Sequence, residues 1–233
     1  MKVEPKIIYE DNHILVVIKP HNIAVQEDSS QDPDMLTIIK DYIKERDQKP
    51  GNVFLGLVHR LDRPTGGVMV FAKTSKSASR LSTELKNRQL KKKYLCVING
   101  RPQISNDRLV TYLKKDEKAN LVKIAPKLEE GAKEAILEYE VIDTKQNLSL
   151  VSVNLITGRS HQIRVQMSSQ LNAPIVGDFK YGDKIHKCNL ALWAYELSFI
   201  HPTTKQEMRF NVAPDYDNKA FAMFETEIEK MIK

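Results

Sequence analysis

The stretch His59-Arg60-Leu61-Asp62-Arg63-Pro64-Thr65-Gly66-Gly67 separates two apolar runs, Phe54-Leu55-Gly56-Leu57-Val58 before it and Val68-Met69-Val70-Phe71-Ala72 after it. Short apolar runs bounded by turn residues read as buried strands, and Pro64 with Gly66-Gly67 marks a tight reversal between them. Asp62 is then an acid carried at the end of a core strand on a strand-loop-strand platform. Arg60 and Arg63 flank it, and a nearby cation favours the charged carboxylate, the form that a nucleophilic or charge-stabilising aspartate needs. The plainer reading, an ion pair that orders a turn, fits these nine residues equally well.

Working outward, Ile7-Ile8-Tyr9, a turn at Asp11-Asn12 and the run from His13 to Lys19-Pro20 read as a β-hairpin with a buried second strand. Residues 21–34 are polar and turn-rich, a loop. Leu36, Ile39 and Ile43 recur at helical spacing behind Asp32-Pro33-Asp34, residues that suit a helix start. Beyond the central strand pair, Thr74-Ser75 predicts a capped helix running to Arg88, with Ala78, Leu81 and Leu85 on one face.

Strands are expected at Tyr94–Ile98, 108–113, 121–125, 135–142, 148–156, 190–199 and 208–212. Thr157-Gly158-Arg159-Ser160 breaks the fifth of these and opens a helix, since Ile163, Met167 and Leu171 repeat every four residues up to Asn172, and Pro174 ends it. Residues 175–188 are a loop rich in glycine and charge. A closing amphipathic helix puts Phe221, Phe224, Ile228 and Met231 on its buried face. Strands dominate and helices intervene irregularly, which predicts an α+β fold with a mixed, largely antiparallel sheet core and flanking helices. No repeat, low-complexity stretch or linker divides the chain, so residues 1–233 read as one catalytic domain.

The 233 residues are 41% hydrophobic and 28% charged, the composition of a globular protein with a sizeable core. No stretch approaches the roughly 18 apolar residues of a membrane span, and the N-terminus has no apolar run behind its lysine, so a cytoplasmic protein without a membrane partner is expected. Cys96 and Cys188 form no CxxC pair, and His13, His21, His59, His161, His186 and His201 are scattered, so neither a disulfide framework nor a metal site is predicted. A serine hydrolase would want a G-x-S-x-G elbow, which is missing. The charge of +6 and pI near 9.1 point towards a polyanionic partner. The densest basic run, Arg88-Gln89-Leu90-Lys91-Lys92-Lys93, leads into Tyr94; such a run at a strand start reads as a solvated edge or as a phosphate track.

Four stretches in order resemble the motifs of the RluA-type pseudouridine synthases: Ile14–Pro20, His59–Arg63 with Thr65-Gly66-Gly67, Lys93-Tyr94-Leu95, and Gly158-Arg159-Ser160-His161-Gln162-Ile163-Arg164-Val165. The resemblance extends to Pro174–Asp178 with Tyr181-Gly182 and to Leu197–Pro202. Gly66 and Ser160 stand where the family commonly has serine and threonine, both substitutions among small residues. Some relatives carry an S4-like RNA-binding module ahead of the catalytic domain, and none is expected here, so capture would rest on this domain itself.

The resemblance implies an RNA uridine-to-pseudouridine isomerase acting as a monomer on ribosomal or transfer RNA, with no cofactor. Asp62 would be the nucleophile, and attack on the base, attack on the ribose and removal of a ribose proton all suit a carboxylate. Tyr94 would pack on the target base and relay the C5 proton. Arg164 would pair with Asp62 and hold it ionised. Arg60, Arg63, Arg159, Lys91, Lys92 and Lys93 are candidates for phosphate contact. Thr65 of the turn joins the substrate-binding set, and His59 and His161 enter it as hydrogen-bonders at the loop and the helix start. The rival reading is a non-catalytic RNA-binding protein of the same fold. Retention of Asp62, Tyr94 and Arg164 together argues against it.

Overall fold

The structure, a computed structural model, describes residues 4–233. The N-terminal hairpin pairs β1 (Lys6–Glu10) antiparallel with β2 (Ile14–Lys19). Asp11 closes it by accepting the backbone N–H groups of His13 and Ile14. Asp34 caps α1 (Met35–Arg46) by accepting from the Thr37 N–H, which satisfies one of the free donors of the first turn. Its buried face is Met35, Ile39 and Ile43, with Met35 in the place expected for Leu36.

Of the apolar run before the Asp62 turn only Gly56–Leu57 is a strand, β3, shorter than the expected Phe54–Val58; its two residues pair with Ala72 and Phe71, and Phe54 stands out in solvent. The run after the turn is β4 (Gly66–Ala72), buried at every residue, which is why it reads as continuous apolar sequence rather than as alternation. Thr74 caps α2 (Ser75–Lys86) as predicted.

β5 (Lys91–Asn99) begins three residues before the expected strand and takes in the lysine run. β6 (Asn106–Asp116), β7 (Leu121–Ile124), β8 (Lys133–Lys145) and β9 (Leu148–Leu155) follow the predicted segments. α3 (Gln162–Gln170), β10 (Leu192–Ile200) and β11 (Glu207–Asn211) come next. The closing helix is two, α4 (Lys219–Ala222) and α5 (Glu225–Ile232), with Phe221, Phe224 and Ile228 buried and Met231 half-buried.

The chain forms two compact units, residues 1–91 with 196–212 and residues 92–195 with 213–233. In the first, the strand order is β1-β2-β4-β10, with β3 beside β4 and β11 beside β10; Glu196–Ile200 is its share of β10. In the second the order is β10-β5-β9-β8-β6-β7. β5 therefore lies between two neighbours, with its β5–β9 register running from Lys93 to Asn99. The pairings β1–β2, β2–β4, β5–β9, β6–β8 and β8–β9 are all antiparallel, in keeping with the predicted α+β class. The core of the first unit joins Ile14, Val16, Val68, Val70, Leu81, Leu197 and Phe199, and burying each such side chain contributes roughly 1.5–3 kcal/mol. Cys96 is buried and Cys188 half-buried, both free thiols. Among the described residues no helix is long and apolar enough to cross a membrane.

Candidate active-site residues

Asp62 opens a four-residue turn, its carbonyl accepting the Thr65 N–H at 2.9 Å. Pro64 makes the reversal, as expected, while Gly66 and Gly67 already belong to β4. Gly67 has φ 128°, a conformation that glycine alone adopts readily, and it sits opposite Lys19 in the β2–β4 register. That register brings the end of β2 to the turn. Lys19, read from the sequence only as the end of a strand, is completely buried, and its ammonium donates to the carbonyls of Pro20 (2.9 Å), Ile23 (2.7 Å) and Arg63 (3.0 Å). His21 Nδ1 meets the Pro64 carbonyl at 2.7 Å; since a carbonyl only accepts, the proton is on Nδ1. Both carbonyls in the middle of the turn are thus held from the end of β2, by its last residue Lys19 and by His21 two positions on.

Arg63 departs from the expectation that it would flank and pair with Asp62. Its guanidinium goes instead to Asp28 (3.0 Å), Asp32 (2.7 Å) and Ser30, and so binds the 21–34 loop to the turn. These acids hold their carboxyls below the usual range, through hydrogen bonds from Ser30 to Asp28 and from Arg63 to Asp32. Lys19 is a cation that feels the Asp62 charge: burial pushes its ammonium down to about 7 while the Asp62 charge works to raise it. Arg60 is exposed. His59 and Thr65 are buried, with His59 Nε2 accepting the Val70 N–H at 3.2 Å, so both belong to the packing of the turn.

Lys19→Met is expected to cost on the order of 3 kcal/mol, because it strips the donor from three carbonyls inside the fold. The deficit should grow with pH. Between about 7, the folded value, and the ordinary lysine value of 10.5 the unfolded chain holds a proton on Lys19 that the folded chain does not, so wild-type stability gains a rise there that the variant lacks. Urea melts of both proteins at pH 6.5 and pH 9 check the sign.

In the second unit, β5 alternates its side chains so that Lys92, Tyr94 and Cys96 share one face and Lys91 and Lys93 the other. Tyr94 is 4% exposed and pairs with Val153 across β5–β9. Lys91 is exposed, Lys93 half-buried and Lys92 buried.

Arg164 sits in the first turn of α3, which packs on β6 and β7 and is buried on nearly every side, where the sequence predicted a single apolar face. Its Nε and one terminal nitrogen each donate to Asp178 at 2.7 Å, a bidentate pair with both side chains buried. Gly177 lets Asp178 take this position: its φ is 79°, and a Cβ there would meet the Asn189 carbonyl at 2.6 Å. The guanidinium also lies 5.0 Å from the Tyr181 ring, and the Tyr181 hydroxyl reaches His161 Nδ1 at 2.6 Å. His161 itself is the left-handed residue that starts α3, the position expected of it. Arg159 is exposed, with its Nε on the Glu134 carbonyl. Asp178 and Tyr181 stood in quoted motifs without an assigned part, and the sequence signal that marks them is the Gly-Asp spacing just before Tyr181.

The pair changes what Arg164→Met should do. Removing one partner leaves a buried carboxylate uncompensated, at a cost of about 3–5 kcal/mol. Thermal melts should show this loss, and adding Asp178→Asn should recover much of it.

The fold is that of pseudouridylate synthase domains. Human RNA pseudouridylate synthase domain containing 4 superposes with a TM-score of 0.78 at 23% identity, covering 96% of this chain and 93% of its own. Human RNA pseudouridylate synthase domain containing 1 gives 0.72 at 24% identity over 91% and 84%. Residues 13–169 match the RNA pseudouridylate synthase family, and the chain belongs to that family. It is 34% identical to ribosomal large subunit pseudouridine synthase C of Buchnera aphidicola subsp. Baizongia pistaciae, covering 97% of this chain and 70% of that protein. It is 31% identical to synthase C of Haemophilus influenzae over 93% and 67%, and 33% identical to synthase D of Neisseria meningitidis over 88% and 56%.

Proposed function

We propose that this chain acts as a single catalytic domain that isomerises uridine to pseudouridine in structured RNA, and that Asp62 is its nucleophile. The observation that carries the reading is the way the Asp62 turn is held: a wholly buried lysine, a histidine and an arginine hold the turn and its neighbouring loop. A turn that only linked two strands would need none of these. The substrate class rests on the printed names of the relatives, which act on the ribosomal large subunit, and ribosomal RNA is accordingly favoured over transfer RNA.

The reaction is an atom-neutral rearrangement. The bond from N1 to C1′ breaks, the base turns over, C5 joins C1′, and the C5 proton leaves while N1 takes one up. A uridine stacked in RNA hides these atoms, so it is extruded into the enzyme at a cost of a few kcal/mol. In the proposed division of labour, Asp62 supplies the electron pair and Tyr94 packs on the extruded base. Arg164 stays paired with Asp178 and is proposed as the cation that keeps Asp62 ionised. Arg60, Arg159 and the Lys91–Lys93 run contact phosphates.

Incubation with large-subunit ribosomal RNA and with transfer RNA, followed by pseudouridine mapping, tests the proposal. Pseudouridine at a defined ribosomal site is the expected result. Binding of both RNAs with no pseudouridine in either would leave only an RNA-binding protein.

A further inference from the structure

Among the described residues two lysines are buried, and their surroundings differ. Lys19 has a carbonyl for each of its N–H bonds. Lys92 is 9% exposed, and its ammonium makes no hydrogen bond or ion pair with any of the described residues. Burial alone acts on it, pushing the amine down to about 8. Taking an ammonium out of water without a counter-charge is unfavourable. The chain offers this ammonium no counter-charge among the described residues, and the amine stays open to an anion from outside.

The surroundings say what kind of anion would fit. The ammonium lies against Gly158, where a Cβ would stand 3.2 Å from it, so the absence of a side chain keeps one approach to the amine open. The loop around Gly158 is fixed in advance. Gln162 accepts from the Thr157 hydroxyl (2.8 Å) and the Arg159 N–H (3.0 Å) and donates to the Ile136 carbonyl (3.0 Å). Arg159, next along, adds an exposed guanidinium. Lys92 and Tyr94 are two positions apart on one face of β5, hence roughly 6–7 Å apart along the strand, a span comparable to that from a pyrimidine ring to its own phosphate.

We infer that Lys92, beside Gly158, receives one RNA phosphodiester, that of the nucleotide whose base packs on Tyr94. The inference rests on the RNA reading above and sharpens it: of the three lysines in the run, Lys92 alone is a built receptor, and its neighbours Lys91 and Lys93 lie on the opposite face of β5.

The test compares wild type, Lys92→Met and Gly158→Ala on one RNA substrate, with thermal melts of the free proteins. Lys92→Met should melt at or above the wild-type temperature, because it removes a charge buried without a partner. Its RNA affinity should fall at least tenfold at 0.1 M salt, and its log-log salt slope should flatten by about 0.7, the share of a single phosphate. KM should rise with kcat little changed, as for a contact made equally in ground and transition states. Gly158→Ala keeps the amine and should weaken binding by crowding it. A neutral methylphosphonate at the matching linkage should weaken wild type and leave Lys92→Met unaffected.

Unchanged affinity and slope in Lys92→Met would overturn the inference, as would a lower melting temperature with normal RNA binding, which marks a structural lysine. Pseudouridine formation by wild type is scored in the same tubes. Its absence, with the slope change present, would sink the isomerase reading and spare the phosphate site; its presence, with the slope unchanged, would do the reverse.

Discussion

Asp62→Asn is expected to fold, to bind RNA within about tenfold of wild type and to form no pseudouridine. The amide has the size and planar shape of the carboxylate, so the turn that carries it should persist: Thr65 still donates to the residue-62 carbonyl, and Lys19 and His21 still hold the carbonyls of Arg63 and Pro64. Tenfold in affinity is about 1.4 kcal/mol, a generous allowance for one lost charge in a contact dominated by other groups. What the substitution removes is the electron pair that attacks, and an amide has no useful nucleophilicity in its place. It also removes the negative neighbour of Lys19, so the Lys19 amine should titrate lower in the variant than in wild type. Turnover within tenfold of wild type would rule Asp62 out as nucleophile and leave the gripped turn in need of another explanation.

The elements of the fold were largely readable because their causes are local. Apolar runs such as Ile14–Val17 and Val68–Ala72 are buried on both faces and show as unbroken hydrophobic sequence. Asp34 and Thr74 announced their helices by side-chain chemistry that acts three residues away. The errors came where long-range partners decide. Arg63 sits beside Asp62 in sequence, yet its side chain is taken by Asp28 and Asp32, 35 and 31 positions back. Lys19 looked like a polar strand end because nothing in its neighbourhood shows that the Arg63 carbonyl will meet it. α3 repeats apolar residues every fourth position and so suggested one buried face. Packing against β6 and β7 buries Gln162, Arg164 and Gln166 as well, each with hydrogen-bond partners that only the tertiary fold supplies. The candidate site was legible as a set of residue types, through a family resemblance, and not as a set of contacts.

Tyr94→Phe should bind RNA nearly as well as wild type and turn over far more slowly, which separates stacking from proton transfer. Phenylalanine keeps the aromatic face, and stacking a base on such a ring is worth about 1–3 kcal/mol, so capture of the extruded uridine survives. Position 94 is 4% exposed and held in register by Val153, so the ring has little freedom to move when the hydroxyl goes. That hydroxyl is the only chemical difference between the variants. If it takes the C5 proton once the base has rejoined through C5, its loss costs on the order of 10² to 10⁴ in rate, the usual range for general acid-base catalysis. Rearranged but undeprotonated product then accumulates, and RNA deuterated at C5 reacts with a larger isotope effect in Tyr94→Phe than in wild type, because proton removal has become the slow step. Near-normal turnover with no added isotope effect would assign Tyr94 to stacking alone. The C5 proton would then need another base.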